Sequence, residues 1–303
     1  MRQVTQWKRG FVLALVTATA WGLLPLALKI TLDVLDPYTI TWFRFLTAAL
    51  VLGGILAVTR RLPALGSLDR RTWLIFCVAL FGLVGNFVLY LVALRFTSPT
   101  VNQTVVQLSP MLLLLGGLIV FNEKFSSRQW LGFGVLVVGL VLFFNRRLAE
   151  LGDLSGGLGL GVALLVIAAI IWAMYGLAQK SLLKHLTSPQ ILVLIYAGAT
   201  IVLWPVASPA EIAQLTTLHA WTLAFCCANT LIAYGAFVEA LEHWEVSRVS
   251  AVLALAPLFT ITSMAVVQQI APGLLEPEGL NATSMIGALL VVGGSTMCAL
   301  GSP

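Results

Sequence analysis

The side chains best suited to binding a small molecule are amides and aromatic rings inside long apolar stretches. Asn86 and Tyr90 are four residues apart, and so are Gln103 and Gln107, so each pair shares one face of a helix. An amide supplies hydrogen-bond donors and an acceptor, and an aromatic ring supplies a flat apolar surface. Together they are able to hold a neutral or zwitterionic ligand.

Four further residues carry the same chemistry on other predicted helices. They are Trp21, Trp172, Tyr175 and Asn229. Polar groups inside a membrane are costly unless they face other helices or a watery cavity, so these positions predict a central cavity. The alternative is structural, because an amide also joins neighbouring helices through a hydrogen bond worth about 1 kcal/mol, and the two tryptophans also serve as core packing.

Arg44 is the most buried charge that the sequence predicts. It lies in the second apolar stretch, where an arginine near the bilayer centre costs about 2.5 to 3.5 kcal/mol on insertion scales. One interpretation is that it extends to the outer interface or pairs with Asp33 or Asp36. The other is that it holds an anionic group, such as a carboxylate, near an outer gate.

Glu239 is the acidic residue deepest within a predicted membrane helix. It could carry a coupling proton if it were buried. The alternative is a carboxylate at the inner surface, paired with Arg248 or Lys180. The sequence therefore leaves both proton-coupled and uncoupled movement of a ligand open.

The composition shows which elements must position these residues. Hydrophobic residues make up 59% of the 303 positions and charged residues only 10%. A helix needs roughly 20 apolar residues to cross a bilayer, and about ten stretches qualify: 10–30, 39–58, 72–94, 100–121, 129–144, 156–179, 189–206, 219–241, 247–270 and 282–300. They are continuously apolar instead of alternating, which predicts an all-α membrane protein.

The stretches form two copies of one unit. The repeated landmarks are Trp21 and Lys29 against Trp172 and Lys180, and Ala93 and Pro110 against Ala240 and Pro257, at equal intervals. Five spans per copy is an odd number, so the second copy enters the membrane inverted. We predict a first repeat at 1–145, a linker at 146–155 and a second, inverted repeat at 156–303, arranged around a central cavity.

Glycines on the fifth and tenth stretches predict how the two copies join. They are Gly132, Gly134, Gly139, Gly287, Gly293 and Gly294. Small residues let helix backbones approach closely in a membrane. We therefore expect these two helices to pack tightly, as a scaffold or as a dimer seam.

Basic residues concentrate in the loops and helix ends on one side of the predicted bundle. That asymmetry places both termini in the cytoplasm. The net charge of +5 is explained by this topology and by attraction to an anionic inner leaflet, so a nucleic-acid partner is not needed.

Several short patterns recur in order along the chain. They are Trp21, Arg44 within Phe43–Ala49, Ala93-Leu94 to Leu108-Ser109-Pro110, Glu123 followed by Gln129 and Gly132, Trp172, Ala240-Leu241, Leu255-Ala256-Pro257 and Gly287 to Gly294. Over essentially its whole length the chain resembles the ten-helix EamA-type branch of the drug/metabolite transporter superfamily. It departs from that pattern near Gln268-Gln269, where the family has an acidic residue. The resemblance implies export of small metabolites from a cavity lined by helices 1, 3, 4, 6, 8 and 9.

We therefore expect a secondary or facilitative transporter of a bacterial inner membrane that exports amino acids or related amphipathic metabolites by alternating access. Its expected partners are the lipid bilayer, a small-molecule substrate and, in one reading, protons; the oligomeric partner stays open. The alternatives are a flippase of lipid-linked sugars, a multidrug exporter and a non-transporting scaffold. The cysteines and histidines lack metal-ligand spacing and no nucleophile motif appears, so we expect no enzyme, no metal and no cofactor.

Overall fold

The computed structural model describes residues 2–63, 68–121, 126–152, 154, 157–244 and 246–300, and within these ranges helices are the regular elements, with no strand. The α-helices are α1 Arg2–Thr31, α2 Pro37–Val58, α3 Arg70–Phe96, α4 Pro99–Val105, α5 Leu108–Phe121, α6 Ser127–Phe143, α7 Leu158–Leu182, α8 Ser188–Leu203, α9 Thr217–His243, α10 Val246–Leu253, α11 Ala256–Ile270 and α12 Ala282–Leu300. Short 3₁₀ turns cover Ala149–Gly152 and Pro209–Gln214.

The apolar composition of these helices fits a bilayer. Within the described residues, seven stretches are long and apolar enough to cross a membrane, and α6 and α8 are shorter apolar helices. The prediction of an all-α membrane protein is confirmed. Glu123 and residues 153, 155 and 156, which belong to the predicted pattern, linker and second repeat, lie outside the described residues.

Polar caps fix where several helices begin. Asp36 accepts hydrogen bonds from the backbone N–H groups of Tyr38 and Thr39, at 2.8 and 3.1 Å, and so starts α2. Asp69 does the same for α3 through Thr72, and the hydrogen bonds from Thr72 lower the pKa of the Asp69 carboxyl. Both carboxylates are therefore committed to the ends of their own helices.

Two of the predicted spans are interrupted helices, which the sequence did not predict. The stretch 100–121 is interrupted at 106–107, between α4 and α5, and 247–270 is interrupted at 254–255, between α10 and α11. The cause is proline, which has no N–H to donate to the preceding turn. Near Pro257, for example, the Leu258 N–H bonds to Leu255 at 2.9 Å, which leaves the carbonyl of Ala254 free of its usual partner.

The helices pack in matching pairs across the two halves of the chain. Helix α3 packs against α7 as α9 packs against α1, and α5 packs against α7 as α11 packs against α1. Helix α2 lies against α8, and α6 lies against α12. The core therefore consists mostly of contacts between the halves.

The contact between α6 and α12 is the closest in the bundle. A Cβ atom on Gly287 would lie 2.3 Å from the Phe143 nitrogen, and one on Gly139 would lie 2.6 Å from the Val291 nitrogen. These are backbone atoms, so only glycine allows this approach. The predicted tight packing of these helices is confirmed within the chain for four of the six glycines, Gly132, Gly139, Gly287 and Gly294, whereas a Cβ on Gly134 or Gly293 would meet nothing within 4 Å.

Candidate functional site

The two helix interruptions meet inside the bundle. The side-chain amide of Gln107, in the first interruption, donates a 2.9 Å hydrogen bond to the carbonyl of Ala254, in the second. Gln107 is buried. It therefore satisfies the carbonyl that the second interruption releases, and it joins α4 and α5 to α10 and α11 at one point. Irregular backbone is tolerated at membrane depth where it is buried in protein or lines a cavity.

The half-helices on the two sides of this crossing pack differently. Helix α4 packs against α11 and also against α1. Among the described residues, α5 and α10 do not pack extensively against each other; α5 lies on α7, and α10 lies on α12 and α1. The crossing is therefore closed by helix packing at the α4/α11 end, whereas α5 and α10 lie apart at the other end.

Charged residues reinforce the closed end. The ammonium of Lys29 donates hydrogen bonds to the carbonyls of Leu94 and Thr97, at 2.6 and 2.9 Å, which are unpaired groups at the end of α3. The Glu278 carboxylate accepts a 3.0 Å hydrogen bond from the Thr100 N–H at the start of α4. Burial raises the pKa of Glu278, and the hydrogen bonds from Thr100 partly oppose that shift.

Two predicted binding amides join helices to one another. Asn86 on α3 donates a 3.0 Å hydrogen bond to the carbonyl of Ala168 on α7, and Asn229 on α9 donates a 2.6 Å bond to Ala20 on α1. The Asn229 Oδ1 atom is enclosed without a hydrogen-bond partner. The donors of both amides thus serve the structural alternative.

A second polar contact links α3 to α4. The hydroxyl of Tyr90 donates to Oε1 of Gln103 over 3.3 Å, and Gln103 is buried. Of the predicted pair, Asn86 therefore connects α3 to α7, and Tyr90 connects α3 to α4. Both contacts lie on the side of α3 that faces the rest of the bundle.

The two predicted tryptophans lie in aromatic contacts. Trp21 lies 5.5 Å from Tyr234 and 5.8 Å from Phe237, measured between ring centroids. Trp172 lies 6.5 Å from Tyr175. Both indoles are partly buried, so each presents some ring surface beyond these contacts. Such faces are suited to an apolar ligand body.

Arg44 neither extends to the surface nor pairs with Asp33 or Asp36. It is only 4% exposed, its Nε atom donates a 3.1 Å hydrogen bond to the Thr230 hydroxyl, and its guanidinium carbon lies 4.5 Å from the centroid of the Phe87 ring. No carboxylate of the described residues forms an ion pair with it. The surface and carboxylate-pairing interpretation of Arg44 was therefore wrong.

Tyrosines surround Arg44, and sequence reasoning did not propose two of them as site residues. Tyr90, Tyr196 and Tyr234 lie within the electrostatic range of its charge, and Tyr175 lies near the latter two. Three of the five tyrosines thus lie near one cation, and for Tyr196 ring contacts support this, because the Phe45 ring lies 5.7 Å from that of Tyr196 and 4.7 Å from that of Phe87. The signal available in the sequence was the placement of these tyrosines within apolar stretches.

Glu239 does not share the buried environment of Arg44. It forms an ion pair with Arg9, and the two side chains are 41% and 62% exposed. The sequence did not suggest Arg9 as its partner. An ion pair this open to solvent contributes little to stability, because the charges are well screened.

These features define a helical membrane protein of the transporter class, with irregular helices crossing inside the bundle and a polar interior. The sequence model of the EamA-like transporter family matches the chain twice, at residues 8–145 and 159–300. The chain belongs to that family.

Similar proteins span nearly the whole chain. An uncharacterized inner membrane transporter, YhbE, of Escherichia coli K12 is 43% identical over 297 residues, covering 96% of this chain and 91% of the relative. A "Probable amino-acid metabolite efflux pump" of Salmonella typhimurium is 25% identical, covering 95% and 93%. A solved crystal structure shares the fold, with a TM-score of 0.66, 18% identity and coverage of 97% and 96%.

Proposed function

We propose that this chain is a secondary or facilitative transporter of the bacterial inner membrane that exports amino acids or related small amphipathic metabolites by alternating access. The observation that carries the proposal is the crossing of the two interrupted helices at Gln107 and Ala254. One pair of half-helices is packed together while the other pair is apart. Discontinuous helices that meet near the midplane are a common way to build a transport site.

The inverted repeat is supported by contacts between equivalent positions. Gln107 and Ala254 each lie three residues before a proline of the repeat, so their hydrogen bond joins equivalent positions. The Asn86–Ala168 bond between α3 and α7 has a counterpart between α9 and α1, where the Thr17 hydroxyl donates to Ala233 over 3.2 Å.

The sequence explains why these bonds correspond. Residues 17 and 168 each lie four before the tryptophan of their repeat, and residues 86 and 233 each lie seven before the repeated Ala-Leu pair. Together with the two matches to the family, this supports repeats at 1–145 and 156–303 joined by 146–155, with ten spans in total.

In this proposal, exchange of the two halves' conformations moves the opening from one face of the membrane to the other. The charge pattern of the loops puts both termini in the cytoplasm, so the closed α4/α11 end faces outward and the open α5/α10 end faces inward. A substrate then enters from the cytoplasm, between aromatic faces such as Trp21 and Trp172. This state is the one from which export begins.

A flippase of lipid-linked sugars receives less support. Recognition of a diphosphate calls for several cations, and Arg44 and Lys29 are the two that the sequence offers for binding phosphate. The Lys29 ammonium is engaged by the carbonyls that end α3. The transporter of small metabolites is therefore the stronger proposal. The name of the Salmonella relative, which includes "amino-acid metabolite", supports the substrate class proposed for this chain.

Counterflow in proteoliposomes tests this proposal. Vesicles are loaded with an excess of one unlabelled amino acid or metabolite, chosen by a thermal-shift screen on the purified protein, and the labelled compound is added outside. We expect saturable, transient accumulation without an imposed ion gradient. Vesicles without protein are the control. A compound that stabilises the protein yet shows no saturable uptake in either direction would contradict the proposal.

A further inference from the structure

Arg44 is a buried arginine whose role transport alone leaves unexplained. A guanidinium carries five N–H donors. One of them, on Nε, bonds to Thr230, and the Phe87 ring covers one face of the group. The four donors on the terminal nitrogens have no hydrogen-bond acceptor among the described residues. A buried cation whose directional donors are left over is a costly arrangement unless another partner uses them.

The hydroxyl groups around this cation are also largely unused. Within the described part of the chain, the hydroxyls of Tyr196 and Tyr234 make no hydrogen bond, whereas Tyr90 donates to Gln103. None of these hydroxyls, and neither terminal nitrogen of Arg44, is among the fully enclosed atoms that lack a partner. These groups are therefore not completely enclosed by the described residues.

The charge balance of this region favours an anion. Arg44 is deeply buried. Glu239, the acidic residue that the sequence places deepest in a membrane helix, forms an ion pair with Arg9 instead. A carboxylate ligand would accept hydrogen bonds from the guanidinium and the hydroxyls at once. An ammonium group placed nearby would be repelled by the same cation, without a carboxylate among the described residues at Arg44 to offset it.

We propose that Arg44, Tyr196 and Tyr234 form a carboxylate-binding subsite, and that the ligand is an organic monocarboxylate with an apolar or aromatic body. A net anion is preferred over the zwitterion of an ordinary amino acid. The guanidinium holds the carboxylate, while the partly buried ring of Trp21, which packs against Tyr234, offers apolar contact to the body. This inference rests on the proposed function for transport of the ligand, but its binding test does not require transport.

Three probes with the same phenyl body separate the possibilities: 3-phenylpropanoate, phenylalanine and phenethylamine, which are an anion, a zwitterion and a cation. Binding to purified wild-type protein is measured by isothermal titration calorimetry. We expect affinity to fall in that order, by about tenfold or more between the anion and the cation, the size of one charge-assisted hydrogen bond. Equal affinities, or tighter binding of phenylalanine, would overturn the inference without any variant.

The variant Arg44→Gln removes the cation and keeps a polar side chain. It should weaken 3-phenylpropanoate by about tenfold or more and should not weaken phenethylamine, whose ammonium group is no longer repelled. Arg44→Lys is the matched control, because it keeps the charge and should retain the preference for the anion even if Arg44→Gln does not fold. Equal weakening of all three probes in a folded Arg44→Gln protein would contradict a carboxylate subsite.

The two proposals fail separately. Preferential binding of 3-phenylpropanoate without counterflow of any compound would contradict the transporter and leave the subsite intact. Saturable counterflow of phenylalanine and phenethylamine, with no preference for the anion, would contradict the subsite and leave the transporter intact.

Discussion

The glycine contact between α6 and α12 gives a sharp prediction for stability, with its control on the same helix. In Gly287→Ala the new Cβ atom would lie 2.3 Å from the Phe143 nitrogen and 2.7 Å from the Gly139 oxygen. Both are backbone atoms, so no side-chain rotation relieves the overlap, and the two helices must move apart. The control is Gly293→Ala on the same helix, where no atom lies within 4 Å of the new Cβ.

The magnitude follows from two opposing effects. Overpacking of a close contact typically costs about 1 to 3 kcal/mol. Replacing an unhindered glycine by alanine in a helix gains about 0.5 to 1 kcal/mol. Both variants gain the alanine term, and only Gly287→Ala suffers the overlap, so we expect Gly287→Ala to be less stable than Gly293→Ala by about 1 to 3 kcal/mol.

The assay is equilibrium unfolding in mixed micelles, titrated with a denaturing detergent and followed by tryptophan fluorescence. The free energy of unfolding is compared for the wild type and both variants. Gly139→Ala and Gly134→Ala repeat the comparison on α6, since a Cβ on Gly139 meets backbone at 2.6 Å and one on Gly134 meets nothing within 4 Å. If Gly287→Ala proves as stable as Gly293→Ala, the close packing of α6 and α12 is refuted.

Three further predictions concern the crossing and the charges. Gln107→Leu leaves the carbonyl of Ala254 without its partner, so thermal unfolding should show a loss of about 1 to 2 kcal/mol, and an unchanged melting temperature would contradict the crossing. Burial raises the pKa of Glu278, so the folded protein binds the proton more tightly than the unfolded chain and loses stability as pH rises through that range. The melting temperature of Glu278→Gln should therefore rise relative to that of the wild type from pH 5 to 8, and a constant difference would refute this. Glu239→Gln should cost less than about 1 kcal/mol, because its pair with Arg9 is exposed, and should leave the pH dependence of uptake unchanged; a loss of that dependence would implicate Glu239 in proton coupling.

Much of the fold was predictable because membrane helices have strong local signals. Long apolar stretches predicted the helices, and six glycines predicted the contact of α6 with α12, of which four lie in it. The interruptions were not predicted, although Pro110 and Pro257 stand inside their spans. A proline in a membrane helix is often absorbed as a kink, and only the tertiary structure shows that the released carbonyl of Ala254 is met by Gln107.

The partners in the candidate site were harder to predict because they are distant in sequence. Arg44 bonds to Thr230, which is 186 residues away. The nearby Asp36 looked like a partner for Arg44, yet its carboxylate already accepts hydrogen bonds at the start of α2. Tyr196 was missed because a single tyrosine in an apolar helix has no periodic pattern around it, and its neighbours come from other helices.

Measurement of two distances at once tests alternating access most directly. One pair of spin labels is placed at Ser98 and Ile270, on the α4/α11 side, and another at Val120 and Ala251, on α5 and α10, in protein whose native cysteines have been replaced. Double electron–electron resonance then gives both distances in lipid nanodiscs, with and without a ligand found by thermal shift. We predict that the two distances change in opposite directions when ligand or pH shifts the population. Distances that stay fixed, or that lengthen and shorten together, would contradict a transporter that opens to one face at a time.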